Sequence, residues 1–164
     1  MNSSPCIQFC TNATPWGTIL LAAQQEALWG VWFEDQTHFP DASQWTPTTD
    51  HPVLNNATQQ LQAYCAGSTT LFDLPINTLM GTPFQQQVWR SIAKIPFGTT
   101  CTYSHIAQDI GKPNAVRAVA NAIARNRWMI VLPCHRVVGS QGQLTGYAAG
   151  LERKSALLQF ESRT

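Results

Sequence analysis

The sequence predicts two domains: an α/β N-terminal unit with a small β-sheet and one helix, then a mainly α-helical unit containing a helix-turn-helix. Short apolar runs separated by turn residues fill the first 50 positions, which is typical of strands. Helical periodicities with start and stop signals follow from residue 82. Charge is segregated as well. Residues 1–89 have six acids and no Lys or Arg, a net charge of −6, whereas residues 90–164 have ten bases and three acids, a net charge of +7.

The first unit is expected to span residues 1–76. Its strands are predicted over Ile7–Thr11, Thr18–Ala23 and Ala27–Phe33, which are rich in β-branched and aromatic residues. A helix is expected from Pro52 to Gly67, and residues 69–76 are expected to return as another strand. Nothing in this unit indicates chemistry, so we interpret it as a scaffold.

A linker is predicted over residues 77–81, and the second domain over residues 82–164. Its first helix has Thr82 as N-cap, Pro83 at the first helical position and Gln85 completing a capping box. Two short helices, over residues 103–110 and 114–125, are joined by a Gly-containing turn, which is a helix-turn-helix pattern. An ordinary corner between two helices fits that pattern equally well. The basic charge favours DNA, with chance segregation of charge as the alternative.

The second of these helices is rich in alanine and carries a long cation at Arg117. A slim helix with one arginine suits a narrow groove, because minor-groove proteins insert arginines and apolar wedges. Close packing in the core is the competing explanation for its inner face. A final helix is predicted over Leu151–Glu161.

The run Pro133-Cys134-His135-Arg136-Val137 follows the apolar residues 129–132, which we expect to be strand-like. The thiolate is the nucleophilic form of cysteine and a free thiol titrates near ~8.5, so a neighbouring base or cation must assist it. The sequence therefore predicts Cys134 as an activated nucleophile beside His135.

Composition indicates a cytoplasmic globular protein. The chain has 164 residues, 44% of them hydrophobic, with no basic-then-apolar leader and no run of the ~18 apolar residues that a membrane span needs. Its five cysteines include no CxxC pair. Cys6 and Cys10 with His38 or His51 could bind zinc, but their spacing on a strand is a weaker signal than CxxC, and we predict no metal.

Taken together, these segments resemble the O6-alkylguanine-DNA alkyltransferases, single-use repair proteins that remove alkyl groups from guanine O6. The resemblance covers residues 81–161 and extends to the hairpin at residues 14–17. The motifs that carry it are Gly81-Thr82-Pro83-Phe84-Gln85, Val88-Trp89, Ile95-Pro96-Phe97-Gly98, Thr102-Tyr103, Ile106-Ala107, Gly111-Lys112-Pro113, Ala115-Val116-Arg117-Ala118-Val119, Asn126, Pro133-Cys134-His135-Arg136-Val137, Gly142, Gly146-Tyr147, Gly150-Leu151, Lys154, Leu157-Leu158 and Glu161.

The resemblance implies irreversible transfer of an alkyl group, mainly methyl, to Cys134, once per protein and without a cofactor. His135 would take the thiol proton through a water, and Glu161 would hold the far side of the imidazole. Asn126 would brace the turn that carries the cysteine. Tyr103 would donate a proton to guanine and crowd the target phosphate so that the nucleotide rotates out.

The implied partner is double-stranded DNA containing O6-alkylguanine, bound by a monomer. Arg117 would enter from the minor groove and fill the space left by the flipped base. The remaining DNA contacts would be Tyr103, Ala115, Ala118, Asn121 and Arg136. The guanine pocket would include Tyr147, Ala148, Pro133 and Val137. Activity on O4-methylthymine and cooperative loading on DNA stay open.

Two positions depart from the family pattern. Ala149 stands where many relatives have a second glycine, which puts the transfer of bulky alkyl groups in doubt, and Arg127 replaces a common proline.

Two alternative functions are a DNA-binding damage sensor and a cysteine hydrolase. A sensor has no need of the Cys134, His135 and Glu161 set. Neighbouring side chains on an extended segment point apart, which argues against the direct Cys–His pair of a hydrolase.

Overall fold

The computed structural model describes residues 5–163, and the chain divides into two compact units between Asn77 and Thr78. No helix among those residues is long and apolar enough to cross a bilayer. The predicted architecture of a small sheet domain followed by a helical domain is confirmed.

The first unit contains a four-stranded sheet in the order β3-β2-β1-β4. Its strands are β1 (Ile7–Thr14), β2 (Gly17–Gln24), β3 (Ala27–Phe33) and β4 (Thr46–Pro47). The first three pair antiparallel, and β4 lies parallel to β1. Helix α1 (Pro52–Cys65) begins at His51, whose Nδ1 accepts a hydrogen bond from the Val53 amide. Alternating side chains give the sheet two buried faces.

One of those faces carries an aromatic cluster that the sequence pattern did not predict. Leu20, Ala22 and Trp32 are buried there, under Phe39 and Trp45 from the segment that precedes β4. Residues 34–45 form neither helix nor strand, and the side chains of Phe39 and Trp45 anchor this segment to the sheet.

The further strand expected over residues 69–76 is wrong. That segment makes one isolated bridge, between Leu28 and Ile76. Its backbone is held by a side chain of α1 instead: the Gln60 amide accepts from Asp73 N at 2.7 Å and donates to Asp73 O at 2.8 Å. Pro75 also lacks the N–H that a continued ladder needs.

Over residues 78–163 the second unit contains four α-helices, two short 3₁₀ turns and a two-stranded parallel sheet. The helices are α2 (Pro83–Ala93), α3 (Tyr103–Asp109), α4 (Val116–Ala124) and α5 (Leu151–Ser162), and the strands are β5 (Cys101–Thr102) and β6 (Val137–Val138). The predicted capping box is present, since Thr82 Oγ1 accepts from Gln85 N and Gln85 Oε1 accepts from Thr82 N.

The turn between α3 and α4 explains the helix-turn-helix. Gly111 has φ +73°, its N–H bonds Gln108 O, and the Lys112 N–H bonds Ala107 O at 2.8 Å. This is a Schellman ending, which requires a left-handed residue after the helix and so favours glycine. The α4 helix packs inward through Val119, Ala122 and Ile123.

Candidate active site

Cys134 lies in a tight turn, and the expectation of a strand-like segment before it is wrong. Residues 129–132 fold into turns, and Ile130 has φ +69°, a left-handed conformation that cannot continue a strand. Cys134–Arg136 then form one turn of 3₁₀ helix. Successive residues in such a turn point about 120° apart, so the three side chains enter different surroundings.

Asn126 holds this turn together. Its Nδ2 donates to Leu132 O at 3.0 Å, and its Oδ1 accepts from Trp128 N at 2.9 Å. The residue is buried, so both bonds are shielded from water. Asn126 therefore closes the loop that leads into Cys134.

Three buried side chains, His135, Arg136 and Glu161, form a hydrogen-bonded cluster that includes the two residues after Cys134. His135 Nε2 is 2.8 Å from Glu161 Oε1. Arg136 donates to the same carboxylate through Nε and Nη2, both at 2.8 Å, and its Nη1 donates to Ile95 O at 2.8 Å. A two-pronged arginine–carboxylate pair is among the strongest hydrogen-bonded contacts in proteins.

The protonation states follow from these contacts. Burial lowers the pKa of His135, against the opposing effects of the hydrogen bond and charge of Glu161, so the ring is neutral near pH 7. A carboxylate only accepts, which places the ring hydrogen on Nε2 and leaves a lone pair on Nδ1. Nδ1 is buried and has no hydrogen-bond partner within residues 5–163.

The thiol is also protonated at rest. Cys134 is only 6% exposed, and burial raises its pKa. Two side chains lower this pKa, Asn126 through a hydrogen bond and Lys154 through its charge, and backbone hydrogen bonds at Cys134 and His135 act in the same direction. The turn therefore carries a neutral thiol and a neutral base on successive residues, with groups in place that favour the thiolate once it forms.

Lys154, in the first turns of α5, is completely buried. Its Nζ donates to Thr145 O at 3.0 Å and lies 3.4 Å from Gly146 O. Burial lowers the pKa of this lysine, and attraction to the Cys134 thiolate opposes that effect. This ammonium group thus links the cysteine to the loop over residues 145–150, which we call the pocket loop.

Tyr103 contacts the same loop. Its hydroxyl donates to Thr145 O at 2.9 Å, and a Cβ on Gly146 would lie 4.0 Å from that hydroxyl. Tyr147 and Ala148 of the loop are half-buried. Pro133 and Val137, the other predicted pocket residues, are buried on either side of the Cys–His–Arg turn. Their contact with a substrate stays a prediction.

The outer face of α4 has the composition expected for close approach to DNA. Arg117, Ala118 and Asn121 are exposed, and Ala115 is half-buried. Arg125, at the end of the helix, is exposed on the same side. The Arg117 side chain is therefore available to a partner, and the alanines let that partner come near the helix backbone.

Within residues 5–163, no three His, Cys, Asp or Glu side chains come together as a metal site. Cys6 and Cys10, considered above as zinc ligands, contact different hydroxyl groups: Cys6 Sγ lies 3.2 Å from Thr46 Oγ1, and Cys10 Sγ lies 3.9 Å from Thr58 Oγ1.

Comparison with known proteins gives concordant matches. The family model "6-O-methylguanine DNA methyltransferase, DNA binding domain" matches residues 83–163, and the ribonuclease-like domain of the same family matches residues 9–78. The methylated-DNA–protein-cysteine methyltransferase of Mycobacterium tuberculosis is 43% identical over 155 residues, which are 94% of this chain and 92% of the relative. The chain belongs to the 6-O-methylguanine DNA methyltransferase family.

Other methyltransferases of this family agree with the match. The constitutive methylated-DNA–protein-cysteine methyltransferase of Bacillus subtilis is 40% identical over 156 residues, covering 93% of this chain and 94% of the relative. The crystal structure of M. tuberculosis O6-methylguanine methyltransferase has a TM-score of 0.87 at 41% identity, over 96% of this chain and 93% of that one. The M. tuberculosis protein in complex with DNA also has a TM-score of 0.87, with coverage of 95% and 93%.

The structure does not support the predicted role of one site residue. Arg136 was expected to contact DNA, but it is only 6% exposed, and its guanidinium donates to Glu161 and to Ile95 O. A side chain engaged in this way cannot reach a phosphate without leaving Glu161 uncompensated. That DNA-contact prediction is wrong, and Arg136 instead orients the carboxylate that holds His135.

Sequence reasoning also missed Lys154, which received no role although it lies in a matched motif of the methyltransferase family. The available signal was its spacing. Lys154, Leu157 and Glu161 are the buried residues of α5, at positions i, i+3 and i+7 of one helix face. A lysine on the same stripe as a buried leucine and glutamate is unlike an ordinary solvent-exposed lysine.

Proposed function

We propose that this chain repairs duplex DNA by transferring the alkyl group, mainly methyl, from O6-alkylguanine to Cys134, irreversibly and once per molecule. The observation that carries the proposal is a buried thiol followed in the chain by a buried imidazole, whose Nδ1 has no hydrogen-bond partner within residues 5–163 and whose Nε2 bonds Glu161. This is the arrangement of an activated nucleophile, a base and a group that orients the base. Family membership supports the same reaction.

The proposed transfer moves one alkyl group and two protons. A water passes the Cys134 proton to His135 Nδ1, and the thiolate attacks the alkyl carbon. The Sγ–C bond forms as the C–O6 bond breaks, and guanine takes up one proton to return to its keto form. Tyr103 is the proposed donor of that proton: its hydroxyl, now on Thr145 O, would exchange this acceptor for the base. The thioether product has no leaving group, so the protein acts once.

The target base must leave the stack before the thiol can reach it. We propose that α4 enters the minor groove and that Arg117 fills the space of the extruded base, with Ala115, Ala118 and Asn121 against the backbone. The protein is proposed to act as a monomer in the cytoplasm, without a metal or organic cofactor. The proposed contacts of α4 with the DNA backbone would fix the position of the protein on DNA without reading the base sequence.

The direct test is intact and peptide mass analysis after the protein is mixed with duplex DNA carrying one O6-methylguanine. The expected result is one added methyl group on the peptide that contains Cys134, saturating at one per chain. Binding to this DNA with no gain in mass would replace the repair proposal by a damage sensor. Continued turnover of a chromogenic ester would favour the hydrolase instead.

Replacing Arg117 with Ala is expected to slow repair of duplex DNA by about tenfold or more, because extruding a base costs a few kcal/mol that the side chain would help to offset. The reaction with free O6-benzylguanine, which needs no extrusion, should change less than twofold by the same reasoning. Both rates are measured by single-turnover kinetics.

Arg125→Ala is the matched control, since it removes the same charge from the same exposed side of α4. It should weaken DNA binding with a salt dependence typical of a phosphate contact and leave the rate at saturating DNA near wild type. Equal losses for Arg117→Ala on duplex and free base would show that Arg117 does not support extrusion.

A further inference from the structure

The pocket loop is bounded by two glycines with left-handed backbones. Gly146 has φ +56° and Gly150 has φ +96°, values that other residues rarely adopt. Between them lie Tyr147, Ala148 and Ala149, and the Gly150 N–H bonds Tyr147 O at 2.9 Å. The loop can bend at these two glycines. The hydrogen bonds at each end of the loop therefore determine how easily residues 147–149 move.

Two consecutive cations of α5 hold the two ends of this loop. Lys154 Nζ bonds Thr145 O, which also accepts from the Tyr103 hydroxyl, so the first end is doubly held. At the other end, Arg153 Nη1 donates to Ala149 O at 3.1 Å. Arg153 is half-buried, and hydrogen bonds with one charged partner are stronger than neutral ones.

The buried side chain at that second end is Ala149, which is only 7% exposed. If the pocket loop lines the alkyl acceptor site as proposed, a group larger than methyl would require the Ala149 side of the loop to move outward about Gly150. Such movement would break the Arg153 contact with Ala149 O, whereas the Thr145 end is held by two donors. The strength of that contact therefore sets how readily the loop opens.

We propose that Arg153 is a positioning residue that restricts the alkyl acceptor site to small groups by holding Ala149 against α5. This inference rests on the proposed alkyl-transfer function and assigns the size selectivity of that site. Arg153 acts through the backbone of the pocket loop and has no part in the bond-making steps. Its influence is therefore on the ratio of rates for large and small alkyl groups.

The test compares single-turnover rates on two duplexes, one with O6-methylguanine and one with O6-benzylguanine, for wild type, Arg153→Met and Arg153→Ala. Both variants should raise the benzyl-to-methyl ratio by about tenfold, the lower end of what one contact or methylene contributes to discrimination. The methyl rate itself should fall by no more than about threefold, since the small group fits the held loop. Two variants are used so that one poorly folded protein does not decide the result.

Two further variants separate positioning from general stability. Arg153→Lys keeps a charged donor and should restore most of the wild-type ratio. Arg163→Met removes the same charge from an exposed position after the other end of α5 and should leave the ratio unchanged. A ratio within twofold of wild type in both Arg153→Met and Arg153→Ala, or equal slowing of both duplexes, would overturn the inference. Failure of the wild-type protein itself to take up a methyl group would overturn the proposed function, and the inference with it.

Discussion

Replacing Cys134 with Ser is expected to abolish alkyl transfer, with a loss of at least about 10⁴-fold, the scale seen when a catalytic nucleophile is removed. The serine hydroxyl holds its proton far more tightly than a thiol, and oxygen attacks a saturated carbon poorly. DNA affinity should stay within about threefold of wild type, because the proposed contacts to phosphate come from the exposed basic surface and do not involve the thiol. Peptide mass analysis and a DNA-binding titration measure the two effects.

Cys101→Ser is the matched control. Cys101 lies two residues before Tyr103, and its strand partner is Val137, three residues after Cys134. It is more exposed than Cys134, so accessibility alone would make it the better acceptor. Burial raises the pKa of Cys101 as well, and the charge of Asp109 adds to that effect, whereas the charge of Lys154 favours the Cys134 thiolate. Full transfer in Cys101→Ser is expected. Methyl groups on any other cysteine in Cys134→Ser would contradict the assignment.

The features that sequence predicts well are those fixed by local backbone chemistry. The capping box at Thr82 and the left-handed ending at Gly111 each depend on a few neighbouring residues. Both could therefore be located before any tertiary contact was known.

The strand-like approach to Cys134 was mispredicted because a tertiary contact overrides local preference. Val131 and its apolar neighbours favour a strand by propensity. The Asn126 amide instead bonds both Trp128 N and Leu132 O, which bends the chain into a turn and places Ile130 in a left-handed conformation. A β-branched residue held at that φ carries a cost of order 1–3 kcal/mol that packing must offset. Nothing near Ile130 in sequence signals it.

Arg136 shows a second reason why a prediction from sequence can fail. Its partner Glu161 is 25 residues away, and the sequence of the Pro-Cys-His-Arg run reads the same whether the arginine points to solvent or to a buried carboxylate. The net positive charge of residues 90–164 favoured the prediction that Arg136 is exposed and contacts DNA. Burial of the guanidinium shows that part of the positive charge counted for DNA is neutralised inside the protein.

Glu161→Gln is expected to destabilise the fold by about 3–5 kcal/mol, the cost of leaving a buried charge without its partner. Three donors, from His135 and Arg136, point at the two carboxylate oxygens. A glutamine offers one oxygen and turns its amide hydrogens toward another donor, so one contact becomes repulsive. Loss of the negative charge also removes a group that supports the basicity of His135. Alkyl transfer should therefore slow together with stability, as measured by denaturant unfolding and single-turnover kinetics.

Glu152→Gln serves as the control, because it makes the same chemical change in the same helix at an exposed position. Its effect should stay below about 1 kcal/mol, the size of a favourable charge near a helix N-terminus. If Glu161→Gln were no more costly than Glu152→Gln, the buried hydrogen-bonded cluster would not hold the turn that carries Cys134. If it unfolded more easily yet transferred methyl at the wild-type rate while folded, Glu161 would support the fold alone, and the orientation of His135 would have to come from Arg136 and the surrounding packing.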